Sequence, residues 1–341
     1  MTAQFPTRQI AKLTGHNGPV HAVTYSGGRG EYILTGGADR TIRLFNPGRG
    51  DQGLVMKYAA HGYEVLDLAV DGTQHNTRFA SVGGDKAVFL WDTVAGTTVR
   101  RFVGHAARCN AVAFGAGGDV LVSGIFDGTA KLWDVKALSS SRPIMTLSEA
   151  KDSVSALSVH EHTIVAGSVD GRVRSYDIRM GMVDEDVVGA PITSLAATRA
   201  GDSLLVSSLD STVRLFDRAA GTLLQAYAAP GFVSKEYRAR GALGLRDSVV
   251  LAPSEDGSVF VWDLLDGKTV RERVWHDDGA RRGEPLLEDR DRKKRVVSAV
   301  AFCRPRAEWC SAGGDGESVL FLSFSFFPLP LAFYGLEPTL R

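Results

Sequence analysis

Short runs in which apolar and polar residues alternate recur along the chain, each bounded by Gly, Asp, Asn or Ser. Tyr32-Ile33-Leu34 and Val120-Leu121-Val122 run into such a boundary. Thr41-Ile42-Arg43-Leu44-Phe45 and Ser258-Val259-Phe260-Val261-Trp262 run out of one. The period of two predicts strands, and Asp127-Gly128, Asp170-Gly171 and Asp256-Gly257 predict tight hairpins joining them. A longer period overlies this one. Seven times an Asp is followed, six residues later, by an aromatic residue: Asp39–Phe45, Asp85–Trp91, Asp127–Trp133, Asp170–Tyr176, Asp210–Phe216, Asp256–Trp262 and Asp315–Phe321. In six of the seven the next residue is Asp or Asn, and successive Asp positions lie 46, 42, 43, 40, 46 and 59 residues apart.

A weaker motif lies upstream. Gly15-His16, Ala60-His61 and Gly104-His105 precede their Asp by 23, 24 and 22 residues, and Thr35, Ser81 and Ser123 stand four residues before it. A repeat of about 40–45 residues ending in Trp-Asp resembles the WD40 repeat, each copy a four-stranded blade of a β-propeller. The resemblance implies an all-β fold, a seven-bladed WD40 β-propeller over residues 1–322. Within that family the conserved-type positions form a buried chain of hydrogen bonds from Trp through Ser or Thr and His to Asp, and a buried Asp needs such donors. The whole set is present as His61, Ser81, Asp85 and Trp91, and again as His105, Ser123, Asp127 and Trp133. The first repeat has Phe45 in place of Trp, and the seventh offers His276, Ser311 and Asp315. The fourth to sixth carry Ala166, Val206 and Ala252 at the Ser position and no His, so packing is expected to hold them. A WD40 repeat is offset from its blade, so Arg8–Leu13 is expected to become the outer strand of the last blade, beside 296–302, 308–312 and 317–322. That pairing would close the ring and remove an open sheet edge.

Read singly, these Asp and His residues are acid–base candidates. Their fixed recurrence argues for structure, because a catalytic group does not need seven copies. No phosphate loop, nucleophile elbow or zinc-ligand spacing occurs. His160-Glu161-His162 places two His on one strand face with no third ligand. Propeller hydrolases need carboxylates or His converging on the central channel, where this repeat reads as Gly and small apolar residues. The chain is therefore expected to be no enzyme and to hold no cofactor or metal.

The chain has 341 residues, 44% hydrophobic and 23% charged, with a formal net charge of zero. This suits one globular propeller, and gives no support to nucleic-acid wrapping or membrane attraction. The three cysteines, Cys109, Cys303 and Cys310, form no CxxC pair, which points to a reducing compartment. The first residues lack an apolar h-region, so no signal peptide is expected. Residues 277–295 carry six acidic and seven basic side chains, fitting a solvated loop, while Arg292-Lys293-Lys294-Arg295 also fits a nuclear import signal. From Ser318 to Leu336 no charge occurs. Pro328 and Pro330 would break a membrane helix there. The composition of residues 323–341 departs from the repeat and reads as a disordered or non-native tail.

Four segments narrow the resemblance: His61–Asp67, Gly83–Asp92, Ala166–Asp177 and Leu205–Thr212. They resemble the mitogen-activated protein kinase organiser 1 family of WD-repeat proteins, over about Thr14 to Asp263. This implies a scaffold, monomeric within larger assemblies, in cytoplasm and nucleus. The implied partners are components of the ERK kinase cascade, spliceosomal proteins and an oxygen-sensing prolyl hydroxylase. Binding is expected on the face shared by the Asp turns and the loops before each first strand, with Tyr63, Glu64, Lys86, Arg108, Lys151, Asp152 and Arg172 as anchors. Tyr176-Asp177-Ile178-Arg179 approximates the WDxR box, which implies the alternative of a substrate receptor for a cullin-4 ubiquitin ligase.

Overall fold

Each predicted hairpin extends into a four-stranded antiparallel meander, and the described residues form seven such sheets. The computed structural model describes residues 5–72, 77–137, 142–276, 295–316 and 318–322. Sheet 1 runs Val20–Tyr25, Ile33–Gly37, Ile42–Phe45, Leu54–Tyr58, and sheet 2 runs Val65–Val70, Arg78–Gly83, Ala87–Asp92, Thr98–Val103. Sheets 3, 4 and 5 repeat the plan from Cys109–Phe114, Val154–His160 and Ile192–Ala197. Sheet 6 begins on the short Ala242–Gly244. Sheet 7 takes Val297–Cys303, Glu308–Gly313 and Ser318–Leu322, with Arg8–Leu13 as its fourth strand. Leu13 pairs with Ser318 and Arg8 with Leu322. The charged segment up to 294 and the tail 323–341 lie outside the described residues.

The second strand of a sheet is covered on both sides, so its sequence is largely apolar or small rather than alternating: Ile33–Gly37, Val249–Pro253 and Glu308–Gly313 are buried at every position, with Glu308 paired to Arg306. Alternation survives in outer strands such as Thr98–Val103. The core is correspondingly divided among the gaps between consecutive sheets. Leu34, Ile42 and Leu44 of sheet 1 pack on Val65, Phe79 and Trp91 of sheet 2. The same arrangement links sheets 2 and 3, 3 and 4, 4 and 5, 5 and 6, and 6 and 7. A further cluster joins Ala299, Cys303 and Cys310 of sheet 7 to Val20, Tyr25 and Ile33 of sheet 1, with Ala11 and Leu13. All three cysteines are buried free thiols.

A β-bulge marks the start of six first strands, at His21, Leu66, Asn110, Ser155, Thr193 and Ser298. The extra residue reaches the next sheet. Asn110 Nδ2 donates to the Val154 carbonyl at 3.0 Å, and Ser155 Oγ to that of Ile192 at 2.5 Å. Ser298 Oγ donates to the Val20 carbonyl, and His21 Nε2 lies 3.1 Å from Glu64 Oε2.

Ahead of Arg8–Leu13, Phe5 is buried with its ring 5.8 Å from that of Trp309, whose indole N–H donates to the Pro6 carbonyl at 2.8 Å. Phe5→Ala is expected to cost roughly 3 kcal/mol in urea unfolding. Deleting residues 1–13 should also open a strand edge, with a further fall in Tm by scanning calorimetry and aggregation by light scattering. Wild-type stability in both variants would show that this segment is an appendage.

Candidate functional site at the face of the hairpin turns

The turns that end each second strand share one construction. The Asp carboxylate accepts the backbone N–H two residues on, from Thr41 at 3.1 Å, Thr129 at 3.0 Å, Arg172 at 3.1 Å, Thr212 at 3.2 Å and Ser258 at 3.0 Å. The residue after the Asp is left-handed in all seven sheets: glycine at 128, 171, 257 and 316, but Arg40, Lys86 and Ser211 elsewhere. The residue before the Asp donates its N–H to the loop that precedes the first strand, to the residue just ahead of that strand in six sheets: Ala38 to Pro19, Gly84 to Glu64, Phe126 to Arg108, Val169 to Ser153, Leu209 to Pro191 and Gly314 to Val296, with Glu255 to Val233 further upstream in sheet 6, all within 2.8–3.3 Å. These bonds bring two loops of every sheet together at one face.

Beneath that face lie the polar networks. In sheet 2 the chain is complete: Trp91 Nε1–H donates to Ser81 Oγ at 2.8 Å, Ser81 Oγ lies 2.6 Å from His61 Nε2, and His61 Nδ1 lies 2.5 Å from Asp85. The other Asp85 oxygen accepts the Gly62 N–H at 2.7 Å. This network fixes the His61 tautomer with its proton on Nδ1. In sheet 1, His16 bridges Thr35 at 2.8 Å and Asp39 at 2.9 Å, and Phe45 leaves no indole to extend it. Burial alone would raise the Asp39 carboxyl, but hydrogen bonds from His16 and Thr41 outweigh it and hold it at about 2.

Sheet 3 departs from the sequence expectation. Trp133 donates to Ser123 at 2.9 Å and Ser123 meets His105 at 3.1 Å, but His105 Nδ1 is buried without a hydrogen-bond partner. Asp127 instead takes both Thr129 donors, its hydroxyl at 2.7 Å. With no carboxylate bond to oppose it, burial pushes His105 down to about 4. In sheet 7 the ring is turned over: His276 Nδ1 faces Ser311 at 2.7 Å and Nε2 stands 3.5 Å from Asp315.

Sheets 4 and 5, expected to rely more on packing, also carry a polar device that lacks His. Arg174, only 1% exposed, donates to Ser168 at 2.9 Å and to Asp170 at 2.8 Å. Its Nε also lies 2.9 Å from Glu185, at an angle too poor for a hydrogen bond. Arg214 repeats this with Ser208 at 2.8 Å and Asp210 at 2.5 Å. A guanidinium from the third strand thus replaces the His–Ser–Trp chain. The signal was a Ser two residues before the Asp and an Arg four after it, which the search for His overlooked. Among the described residues sheet 6 shows neither device, and the buried Trp262 N–H has no partner.

The predicted anchors fall in different surroundings. Tyr63 is 63% exposed, and Glu64 beside it is held by His21. Arg108 covers the ring of Phe126, at 4.7 Å, and Phe126 is itself 51% exposed. Lys86 and Asp152 are exposed, and exposed Lys151 donates its N–H to Asp170 at 3.0 Å. Arg172 is engaged elsewhere, paired with Glu185 on the outer strand. Phe126 and Val169, one residue before their Asp, are exposed apolar contributors that the charge-led choice missed. His160 ends a strand and His162 lies in the hairpin turn after it, so the two do not share a strand face. The Asp177 turn, which accepts the N–H groups of Arg179 and Met180, repeats at Asp92, Asp134, Asp217 and Asp263, so nothing sets the 176–179 box apart.

The channel also differs from its expected small apolar lining. Asp67, Arg238 and Arg240 project among the first strands, and Arg240 Nη1 pairs with Asp67. Among the described residues no group of three His, Cys, Asp or Glu is placed to hold a metal, and no helix is long and apolar enough to cross a membrane.

A family model described as WD domain, G-beta repeat matches residues 7–46, 96–134, 141–177 and 187–217. The chain is 45% identical over 264 residues to WD repeat domain-containing protein 83 of Rattus norvegicus, spanning 77% of this chain and 81% of that one. It is 46% identical to the Homo sapiens protein of the same name, with the same coverage. An uncharacterized WD repeat-containing protein of Schizosaccharomyces pombe is 41% identical over 246 residues, 72% of this chain and 80% of its own.

Two measurements test these networks. Arg174→Met takes the buried guanidinium from Asp170 and is expected to cost ~3–5 kcal/mol in urea unfolding, whereas Arg172→Met, a partly exposed pair, should cost about 0–1 kcal/mol. Equal effects would refute the network. Separately, folded His105 titrates at about 4 against 6.5 for the free side chain, so the folded state binds fewer protons between those values. Its stability contribution is present above pH 6.5 and is lost as pH falls toward about 4. His16 and His61 are lowered by burial in the same direction. His105→Gln should flatten the fall of Tm across this window; an unchanged slope would clear His105 of a role.

Proposed function

The chain belongs to the WD-repeat family that includes WD repeat domain-containing protein 83, and from that premise we propose that it is a non-catalytic scaffold whose partners are proteins bound at the face of the Asp turns. The observation that carries this reading is the pairing of two loops per sheet at one face, repeated around all seven sheets. Such a surface is broad, stiff and free of convergent acid–base groups, which suits contact with a folded partner. Exposed Tyr63 and the Arg108–Phe126 pair supply aromatic and guanidinium anchors, the side chains that dominate binding energy. Lys86 keeps a left-handed backbone where glycine would be relaxed, so its side chain is retained against a local cost.

On this reading the propeller is a seven-bladed ring clasped by its N-terminal strand. It works in the manner of the mitogen-activated protein kinase organiser 1 family, as a monomer within kinase-cascade or spliceosomal assemblies, in cytoplasm and nucleus. A prolyl hydroxylase is a further partner under the same reading. The identity to relatives named for the WD repeat supports the scaffold role.

Affinity capture of the tagged full chain, beside a Tyr63→Ala/Arg108→Ala variant of matched Tm, tests the proposal. Spliceosomal or kinase-cascade proteins should be recovered with wild type and fall at least ~10-fold with the variant. Undiminished recovery would move the contact off this face, and a cullin-4 adaptor as the dominant catch would replace the scaffold reading with that of a ligase receptor.

A further inference from the structure

Three of the six bulge residues share one contact, and a fourth with a donor of the same kind lacks it. Asn110, Ser155 and Ser298 each donate to the carbonyl that opens the next sheet's first strand. Thr193 holds the same position in sheet 5, yet its hydroxyl is buried without a partner, in a residue only 3% exposed. The reason lies in sheet 6. Its first strand starts late, at Ala242, and the chain ahead of it passes through the channel as Arg238-Ala239-Arg240-Gly241. The carbonyl that Thr193 would meet is displaced, and a cavity of about 210 Å³ opens where five first strands and this segment converge.

Two guanidinium groups and one carboxylate line that cavity. Arg240 is neutralised by Asp67, which also accepts the N–H groups of Leu68 at 2.6 Å and Val112 at 2.9 Å. Among the described residues Arg238 has no carboxylate partner. It reaches across the channel to the Asn110 carbonyl at 2.5 Å through Nη1, and its Nε is buried without an acceptor. Burial, with Arg240 and Arg108 adding to it, pushes the Arg238 guanidinium down despite Asp67. A further negative charge would relieve that field. The cavity is smaller than the ~300 Å³ at which sites for drug-sized ligands begin, so it suits one functional group rather than a nucleotide or cofactor.

We propose that the channel between Arg238 and Thr193 is a binding site for a single phosphate-sized oxyanion, free or carried on the side chain of a partner. Guanidinium N–H and a hydroxyl donor are the pairing that oxyanions take in buried sites. The site does not depend on which assembly the chain joins, and its failure would leave the scaffold reading intact.

The test is calorimetric titration of the full chain with inorganic phosphate, and with an otherwise neutral peptide bearing one phosphoserine, in chloride buffer of matched ionic strength. Saturable binding is expected, weakened about tenfold by Arg238→Gln and about threefold by Thr193→Val. Circular dichroism in chloride checks that both variants fold. Thr193→Val preserves shape and decides alone if Arg238→Gln does not fold. Tighter binding of the peptide assigns the group to a partner side chain; binding of phosphate alone assigns it to the free ion. Absence of saturable binding in wild type, or undiminished binding in Thr193→Val, overturns the proposal.

Discussion

A carboxylate at the tip of every second-to-third-strand hairpin must be supplied with donors, and the rest of the architecture is arranged around that need. The Asp organises its turn by accepting backbone N–H groups, but its remaining lone pairs face the protein and would be costly unpaired. Two chemical solutions appear. Sheets 1 and 2 bring a His from the preceding loop, braced by Thr35 or by Ser81 and Trp91. Sheets 4 and 5 bring an Arg from the third strand, braced by Ser168 or Ser208. In sheets 2 and 4 the loop, the second strand and the third strand are all tied into one network.

That tie is what makes a binding surface possible. Loops are ordinarily the mobile part of a protein, and here each is fixed to the turn beside it by a backbone bond, with a His or Arg network below in sheets 1, 2, 4 and 5. The bulges add a second tie, from sheet to sheet at the channel. Where a tie is missing, the chemistry changes. His105 lacks its carboxylate and becomes a group that resists protonation. Thr193 lacks its carbonyl, and the channel beside it gathers uncompensated positive charge from Arg238.

The legible part of the fold came from periodicity. Strands, hairpins and the register of the polar positions follow from alternation of two and from the recurring Asp, because neighbouring residues on a strand carry that information locally. Arg174 and Arg214 were just as visible, each four residues after an Asp and six after a Ser, but a search framed on His passed over them. The His105 gap was not visible at all. Its residues match those of sheet 2, and only the position of the ring decides that Asp127 bonds to Thr129 instead.

The sequence by itself determined the seven-times-repeated unit, the polar set within each unit and the neutrality that leaves specific contact as the means of binding. The tertiary structure alone decided what meets across the ring. Arg240 pairs with Asp67, 173 residues away, and Arg238 reaches Asn110 over a separation of 128. No local pattern encodes such contacts. They arise because sheet 6 starts its first strand late, and the displaced chain has only the channel to enter.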